Sequence, residues 1–536
     1  LVCQNTLFDG LILEHHYGIV PRRYGDTMML SQVFVKPFQR SISLKEAAKF
    51  LNLGEKGDEV YNTKGKWLDD FTPAELRRFM DYCVNDVELT HALYHTLAPR
   101  FPVSEHHVMD LTLRMFMQPR LKLDPTVLAE HLNSVRQRKE HLLNNLPMGL
   151  TKDDLMSNPK LAAALEALGV EPPVKTSPTT GKLTYAFAKN DPGFKQMVED
   201  YADDEQVTAV LMARTGVKST IEETRTERLL DIANRTGKFR VPLRYYGAHT
   251  GRYGGMEKIN AQNLPRVDKS RMRYGVVAPK GHVIVAADLA QIEARLTAWL
   301  AQQLDLLEQF RQGRDVYSEF ATRVYNRPIT KENKVERFVG KTSILGLGFG
   351  MGPPKFRATL AKDDIRIELT ESVRVVSAYR NTYYRIPLMW KYLDECLNVM
   401  TGGGKQYLRC VMLARKAVIL PNGMPLIYHD LSNNGSGWAY SHGGITKTLW
   451  GGKMAENIVQ ALARIIIMEQ MLAIYKELKL RPVLQVHDEL VYVIPKPDAP
   501  AASDTMGQIM SMPPEWAPDL PVAVEINSGH SYGECK

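Results

Sequence analysis

Cysteine is scarce: five in 536 residues, at Cys3, Cys83, Cys396, Cys410 and Cys535, with no CxxC pair among them. That spacing offers neither a zinc site nor a disulfide framework, and the thiols are expected to be reduced. No uninterrupted apolar run approaches the roughly 18 residues of a membrane span, and no basic-then-apolar leader is read at the start. Internal repeats and low-complexity tracts are missing too, so a repeat architecture is not expected. Charge of one sign does not dominate: 68 Lys and Arg stand against 60 Asp and Glu, a net +8. That excess fits a polyanionic partner without demanding one.

What is present is an ordinary globular composition, 44% hydrophobic and 24% charged. The length is too great for one core, so several subdomains are expected. The chain opens on Leu1-Val-Cys-Gln, which reads as the middle of a strand, so it is expected to be cut at its amino end. Residues 1 to about 100 read as short strands alternating with helices. Thr72-Pro73-Ala-Glu75 carries the signature of a helix start, with Leu76, Phe79 and Met80 on one face. Residues from about 126 to 235 are helix-rich and charged, broken by loop signals at Pro172-Pro173 and Ser177–Gly181. The spacing predicts strand, turn and helix over 280–305, mostly helix over 305–400, and one long helix over 454–478. Pro495 to Ala502 has the composition of a surface loop.

Two carboxylate motifs lie about two hundred residues apart. Val283-Ile-Val-Ala-Ala-Asp288 ends a β-branched run on an acid, followed by Leu289, Gln291 and Glu293. Read alone, Asp288 is as good a helix N-cap as a metal ligand. Leu484-Gln-Val-His487-Asp488-Glu489-Leu490 places two acids at a tight hairpin, where a plain surface turn is the alternative. Between them Arg337, Lys341, Leu345 and Phe349 are spaced by four, so on a helix they fall within about a third of the circumference. That stripe is either a solvated basic face or a phosphate cradle with an apolar floor. The glycines at 346, 348, 350 and 352 suggest close packing more than a phosphate loop.

Together the three segments resemble motifs A, B and C of family A DNA polymerases, the family of bacterial DNA polymerase I. Gln485-Val-His-Asp-Glu-Leu490 matches that family's motif C as a six-residue string, and the order A, B, C is kept. The resemblance implies a mixed α/β (α+β) chain with the right-hand polymerase fold, palm, fingers and thumb behind an RNase H-like exonuclease domain. It divides the chain into a truncated 3′–5′ exonuclease-like domain (1–100), connector and thumb (101–245), first palm segment (246–305), fingers (306–452) and second palm segment (453–536). It further implies template-directed addition of deoxynucleotides to a primer by two-metal phosphoryl transfer.

By the same resemblance, Asp288, the Leu289 backbone carbonyl and Asp488 hold two Mg²⁺ ions, with Mn²⁺ able to substitute, and Glu489 supports the site. Arg337 and Lys341 grip the nucleotide phosphates, and Lys341 protonates the departing pyrophosphate. Leu345, Phe349, Gln291, Glu293 and Tyr317 complete the nucleotide site. Phe or Tyr usually occupies the Leu345 position, Tyr the Phe349 position, and His is common at Tyr317. Glu293 blocks a ribose 2′-hydroxyl but cannot bond to Phe349, which has no hydroxyl. Arg252 of Thr250-Gly251-Arg252, with Asn260, Gln262 and Asn263, is expected in the minor groove. Lys218, Gln460 and His487 complete the expected DNA contacts.

Gln4-Asn5-Thr-Leu-Phe8-Asp9 and Tyr82-Cys-Val-Asn-Asp86 resemble the second and third exonuclease motifs. Asn5, Asp9, Tyr82 and Asp86 form the expected remnant, and with the first motif missing little exonuclease activity is expected. Gly54-Glu55-Lys56-Gly57, Asp315-Val-Tyr317 and Gly340-Lys341 look most like phage-encoded members. Expected partners are primer-template DNA and deoxynucleoside triphosphates, for a monomer in the cytoplasm, that of the host if phage-encoded. A single-subunit RNA polymerase would carry a small residue at Glu293. An inactive relative would have lost Asp288, Asp488 or Lys341.

Overall fold

The computed structural model describes residues 1–58, 65–177, 181–189, 191–257 and 259–536. At its centre is a four-stranded antiparallel sheet, in the order Leu484–Val486, Glu489–Pro495, His282–Leu289, Val524–Gly529. Ile284 to Ala287 are all buried, so the run packs on both faces rather than alternating. The register sets Asp288 directly opposite Glu489 on one side and Glu525 on the other.

Beside the sheet runs the helix Gly451–Leu478, buried along most of its length. It is long and apolar enough to cross a membrane by composition, with a mean hydropathy of 1.5. However, 72% of that window is buried within the protein, which is the pattern of a core helix. It packs on helices Val103–Met117, Ile292–Leu300, Arg385–Gly402 and Ala499–Ser511. Arg464, one turn beyond Gln460 on this helix, is 2% exposed and pairs with Glu105 of Val103–Met117. Tyr245 Oη (2.6 Å) and Asn422 Nδ2 (3.0 Å) also donate to Glu105, so one carboxylate ties four distant segments together.

Several expectations change. The stretch Pro495–Ala502 is not a loop: the strand runs to Pro495 and a helix begins at Ala499, with proline in its first turn. Helix Pro73–Leu97 starts with the expected Thr72–Glu75 capping box, but its buried face is Tyr82, Leu89, Leu93 and Leu97, and Met80 is exposed. The described amino region is mainly helical. Its strands are the two-residue parallel pair Val2–Cys3 and Gly25–Asp26, because Asp26 at once caps a helix through the Met28 and Met29 amides. The turn expected at Ser177–Gly181 falls partly on 178–180, outside the described residues, while Val174–Thr176 and Leu183–Tyr185 pair as antiparallel strands.

Residues 406–449 were not foreseen as β structure. They form a four-stranded and a three-stranded antiparallel sheet between the helix Arg385–Gly402 and the long helix. The second sheet touches the amino region, where Gly443 N–H donates to Pro37 O and Phe38 packs on His429. One hydrophobic core reaches from Leu7 to Cys535, and a second, separate one lies within 155–213.

Candidate active site

The carboxylates meet because of strand pairing. Asp288 is the penultimate residue of its strand, and Asp488 sits in the two-residue turn of the neighbouring hairpin. His487 takes the left-handed conformation (φ 52) that this turn requires. Leu289, buried at the strand end, donates its amide hydrogen to Asp488 O at 3.0 Å and locks the two ends together. Glu489 is 3% exposed and accepts from Tyr532 Oη at 2.8 Å. Lys536 Nζ lies 2.9 Å from Glu489 and 3.3 Å from Asp288.

Arg252 falls elsewhere than the sequence suggested. Its Nη2 lies 2.5 Å from Glu293 and 3.0 Å from Asp488, inside the carboxylate centre rather than on an open groove. Gly251 makes this possible. It has φ +82, and a Cβ there would sit 2.9 Å from the Tyr246 ring. Burial pushes the Asp488 carboxyl up to about 6; Arg252 opposes the rise, while Glu293 and Asp288 add to it. Glu489 is also raised by burial, against Lys536 and Tyr532.

Among the described residues no three His, Cys, Asp or Glu side chains form a metal-holding group. Mg²⁺ does not need one: it keeps several waters and binds through one or two carboxylates plus substrate phosphates. Asp288 and Asp488 supply the hard oxygens. The basic side chains drawn onto them mark excess negative charge, so the residues present fit divalent cations.

The basic stripe lies on helix Lys334–Gly346. Gly340 brings this helix onto Val316–Tyr325, since a Cβ there would clash with Tyr317 O. Arg337 donates from Nε to Asp315 at 2.7 Å and lies 5.3 Å over the Tyr317 ring. Burial would raise the Asp315 carboxyl, but Arg337 and Ser318 hold it below its usual range. Tyr317 is 7% exposed beneath Arg337, so it supports the guanidinium instead of facing a nucleotide directly. Lys341 is exposed, as is Leu345 at 37%. The helix ends at Gly346, so Phe349 lies on a following 3₁₀ turn and not on the continuous stripe. This helix packs on Ile292–Leu300, whose first turn carries Glu293. Gln291 caps that helix with φ 49, and its Oε1 accepts from Arg295.

Three other expected DNA contacts, Gln262, Asn260 and Gln460, are engaged within the protein. Gln262 is buried and donates to Gln485 at 3.4 Å, which takes it out of an open groove. Asn260 caps the 3₁₀ turn Ala261–Asn263 through the Gln262 amide. Asn263 is exposed, and its carbonyl accepts from Arg225. Gln460 accepts from Thr250 Oγ1 at 3.4 Å and donates to Glu456. His487 and Lys218 are exposed, Lys218 at the end of helix Glu205–Lys218.

At the amino end Asp9 and Asp86 line one cavity of about 580 Å³, along with Cys3, His91 and His95. Lys56 Nζ donates to both Asp86 and Tyr82 Oη. Asn5 is not brought to this cavity; it lines a separate one with Asp26 and Arg244. Sequence reasoning missed Asp315 as the Arg337 partner, Lys56, Tyr532 and Lys536. Asp315 stood in a segment already singled out. Lys536 reaches Asp288 across 248 positions, and no local pattern signals that.

The profile of DNA polymerase family A matches residues 128–534. The chain is 26% identical over 332 residues to DNA polymerase I of Treponema pallidum (strain Nichols), covering 59% of this chain and 29% of that protein. It is 24% identical over 550 aligned residues to the DNA polymerase of Bacillus phage SP02, covering 91% of this chain and 80% of that protein. The chain thus spans under a third of the bacterial relative's length and four-fifths of the phage relative's. Among solved structures, the POL domain of Pol1 from M. smegmatis in complex with DNA primer-template and dNTP has a similar fold. The TM-score is 0.72 at 19% identity, over 100% of this chain and 86% of that one.

Proposed function

The chain belongs to DNA polymerase family A, and from that premise we propose that it extends a primer 3′ end on a DNA template using deoxynucleoside triphosphates. The observation that carries this reading is the juxtaposition of Asp288 and Asp488 by strand pairing, beside the helix whose neighbour presents Arg337 and Lys341. The family generally uses divalent metal ions. Here Asp288 and Asp488 would hold two Mg²⁺, with Mn²⁺ a substitute. Bound there, these ions would make the primer 3′-hydroxyl more acidic and offset the charge of the triphosphate.

The chain's own residues do the rest. Lys341, exposed on its helix, meets the phosphates and hands a proton to the leaving pyrophosphate oxygen. Arg337 is held in orientation by Asp315 and Tyr317 and adds fixed positive charge to the same phosphates. Leu345 and Phe349 provide apolar surface for the base. Glu293 fills the space a 2′-hydroxyl would need. For Asp488 to bind a cation, Arg252 must leave it, which frees the guanidinium for the primer terminus. The five-part division into exonuclease-like, thumb, palm and fingers segments belongs to this reading. So do action as a monomer in the cytoplasm and a role in phage replication. In the amino cavity Lys56 supplies the positive charge beside Asp86 and Tyr82, so proofreading by this chain is not part of the proposal.

The test is primer extension by the purified chain, with deoxy- and ribonucleotides supplied separately. Metal-dependent extension with deoxynucleotides, abolished by chelation, is expected. Extension with ribonucleotides at equal efficiency, or none with either, would overturn the reading.

A further inference from the structure

Phe349, the ring expected beneath a nucleotide base, has a second aromatic beside it that no motif includes. Trp450 precedes the long helix as its N-cap residue, yet its indole makes no capping hydrogen bond and the residue is 46% exposed. Two glycines make room for it. A Cβ at Gly452 would stand 3.1 Å from the indole Nε1 and 2.8 Å from Phe349 O, and one at Gly350 would stand 3.7 Å from the same Nε1. The indole therefore lies against the turn that carries Phe349. That turn continues through Gly350-Met-Gly-Pro-Pro354, and the next ring, Phe356, is fully buried. Trp450 is the open aromatic surface at this junction.

Trp450 also begins a track. Lys453 and Gln460 follow it on the helix, with Lys453 beside Glu456 at 2.9 Å. Gln460 stands about 15 Å further along the axis and meets Thr250, two residues from the Arg252 that bridges Asp488 and Glu293. An exposed ring and a lysine leading to a catalytic centre are the parts from which single-strand platforms are made. Each base stacks on an aromatic face whatever its sequence.

We propose that Trp450 is a stacking platform for an unpaired template base arriving beside Phe349. This rests on the polymerase reading and adds to it a residue that holds the single-stranded template ahead of insertion. The experiment compares wild type, Trp450→Ala and Trp450→Phe for equilibrium binding to two labelled DNAs, measured by anisotropy without nucleotides. One is a primer-template with a short 5′ template overhang, the other the same duplex with blunt ends. Thermal melting checks that each variant is folded. Trp450→Ala is expected to weaken the overhang substrate by about tenfold, to leave the blunt duplex unchanged, and to be rescued by Trp450→Phe. Equal loss on both substrates, or loss on neither, would overturn the platform. A third arm titrates dNTP onto each protein–DNA complex. A defect appearing only there would place the incoming base, not the template, on Trp450 and also overturn it. If wild type extends primers while Trp450→Ala binds the overhang normally, only this inference fails. If wild type neither binds nor extends primer-template, the polymerase reading fails first.

Discussion

Asp488 shows how a single residue carries both cost and purpose. Its folded pKa, about 6, lies above the ordinary carboxylate value, and burial is the largest cause. The fold therefore disfavours the charged form. The cost is absent below about pH 4, grows as pH rises, and is complete above about pH 6. Asp488→Asn should stabilise the metal-free protein at pH 8 by on the order of 2 kcal/mol and be near neutral at pH 4, while abolishing activity. Melting curves at the two pH values check this, and a destabilised variant at pH 8 would contradict it. The sugar-gate role proposed for Glu293 rests on family resemblance and not on any local pattern. The structure adds that Arg252 holds it at 2.5 Å. Glu293→Ala should raise ribonucleotide insertion relative to deoxynucleotide insertion, as measured by the ratio of the two efficiencies. An unchanged ratio would remove Glu293 from that role.

At the scale of elements, several features are legible locally. The Thr72–Glu75 capping box, the strand before Asp288, the hairpin at His487-Asp488 and the long helix all carry their cause within a few residues. Other features depend on distant partners. Periodicity alone extends the stripe from Arg337 to Phe349, but the helix stops at Gly346, where the chain turns onto the long helix. The sheets of 406–449 are built from strands of three to five residues, too short for a periodic signal. Tyr317 and Gln262 have the right chemistry for contacts, and only packing shows that they are buried. Gly340 gives the element-scale prediction. Gly340→Ala should wedge helix Lys334–Gly346 from Tyr317 O, at about 1–3 kcal/mol, and displace Arg337 from Asp315. The KM for deoxynucleotide should rise about tenfold with primer-template affinity unchanged. A normal KM would show that this contact does not set the nucleotide site.

Across the whole molecule the Glu105–Arg464 pair is the tie least visible in sequence, joining residues 359 positions apart. Both are almost fully buried, and neither side chain has an obvious local reason to be charged. Arg464→Met leaves Glu105 buried without its cation and should cost about 3–5 kcal/mol, read as a lowered melting temperature. Adding Glu105→Gln should recover most of the loss, since the cost comes from the stranded charge. No recovery would mean that packing, not charge, is what Arg464 contributes.

Under the proposed function, strand pairing assembles Asp288 and Asp488 into the cation-holding centre of a polymerase. Single-turnover nucleotide insertion on a bound primer-template with Asp288→Ala and Asp488→Ala decides this. Each variant is expected to fall to about a hundredth of the wild-type rate or lower while primer-template affinity stays unchanged. Either variant inserting above that level with normal DNA binding would contradict it.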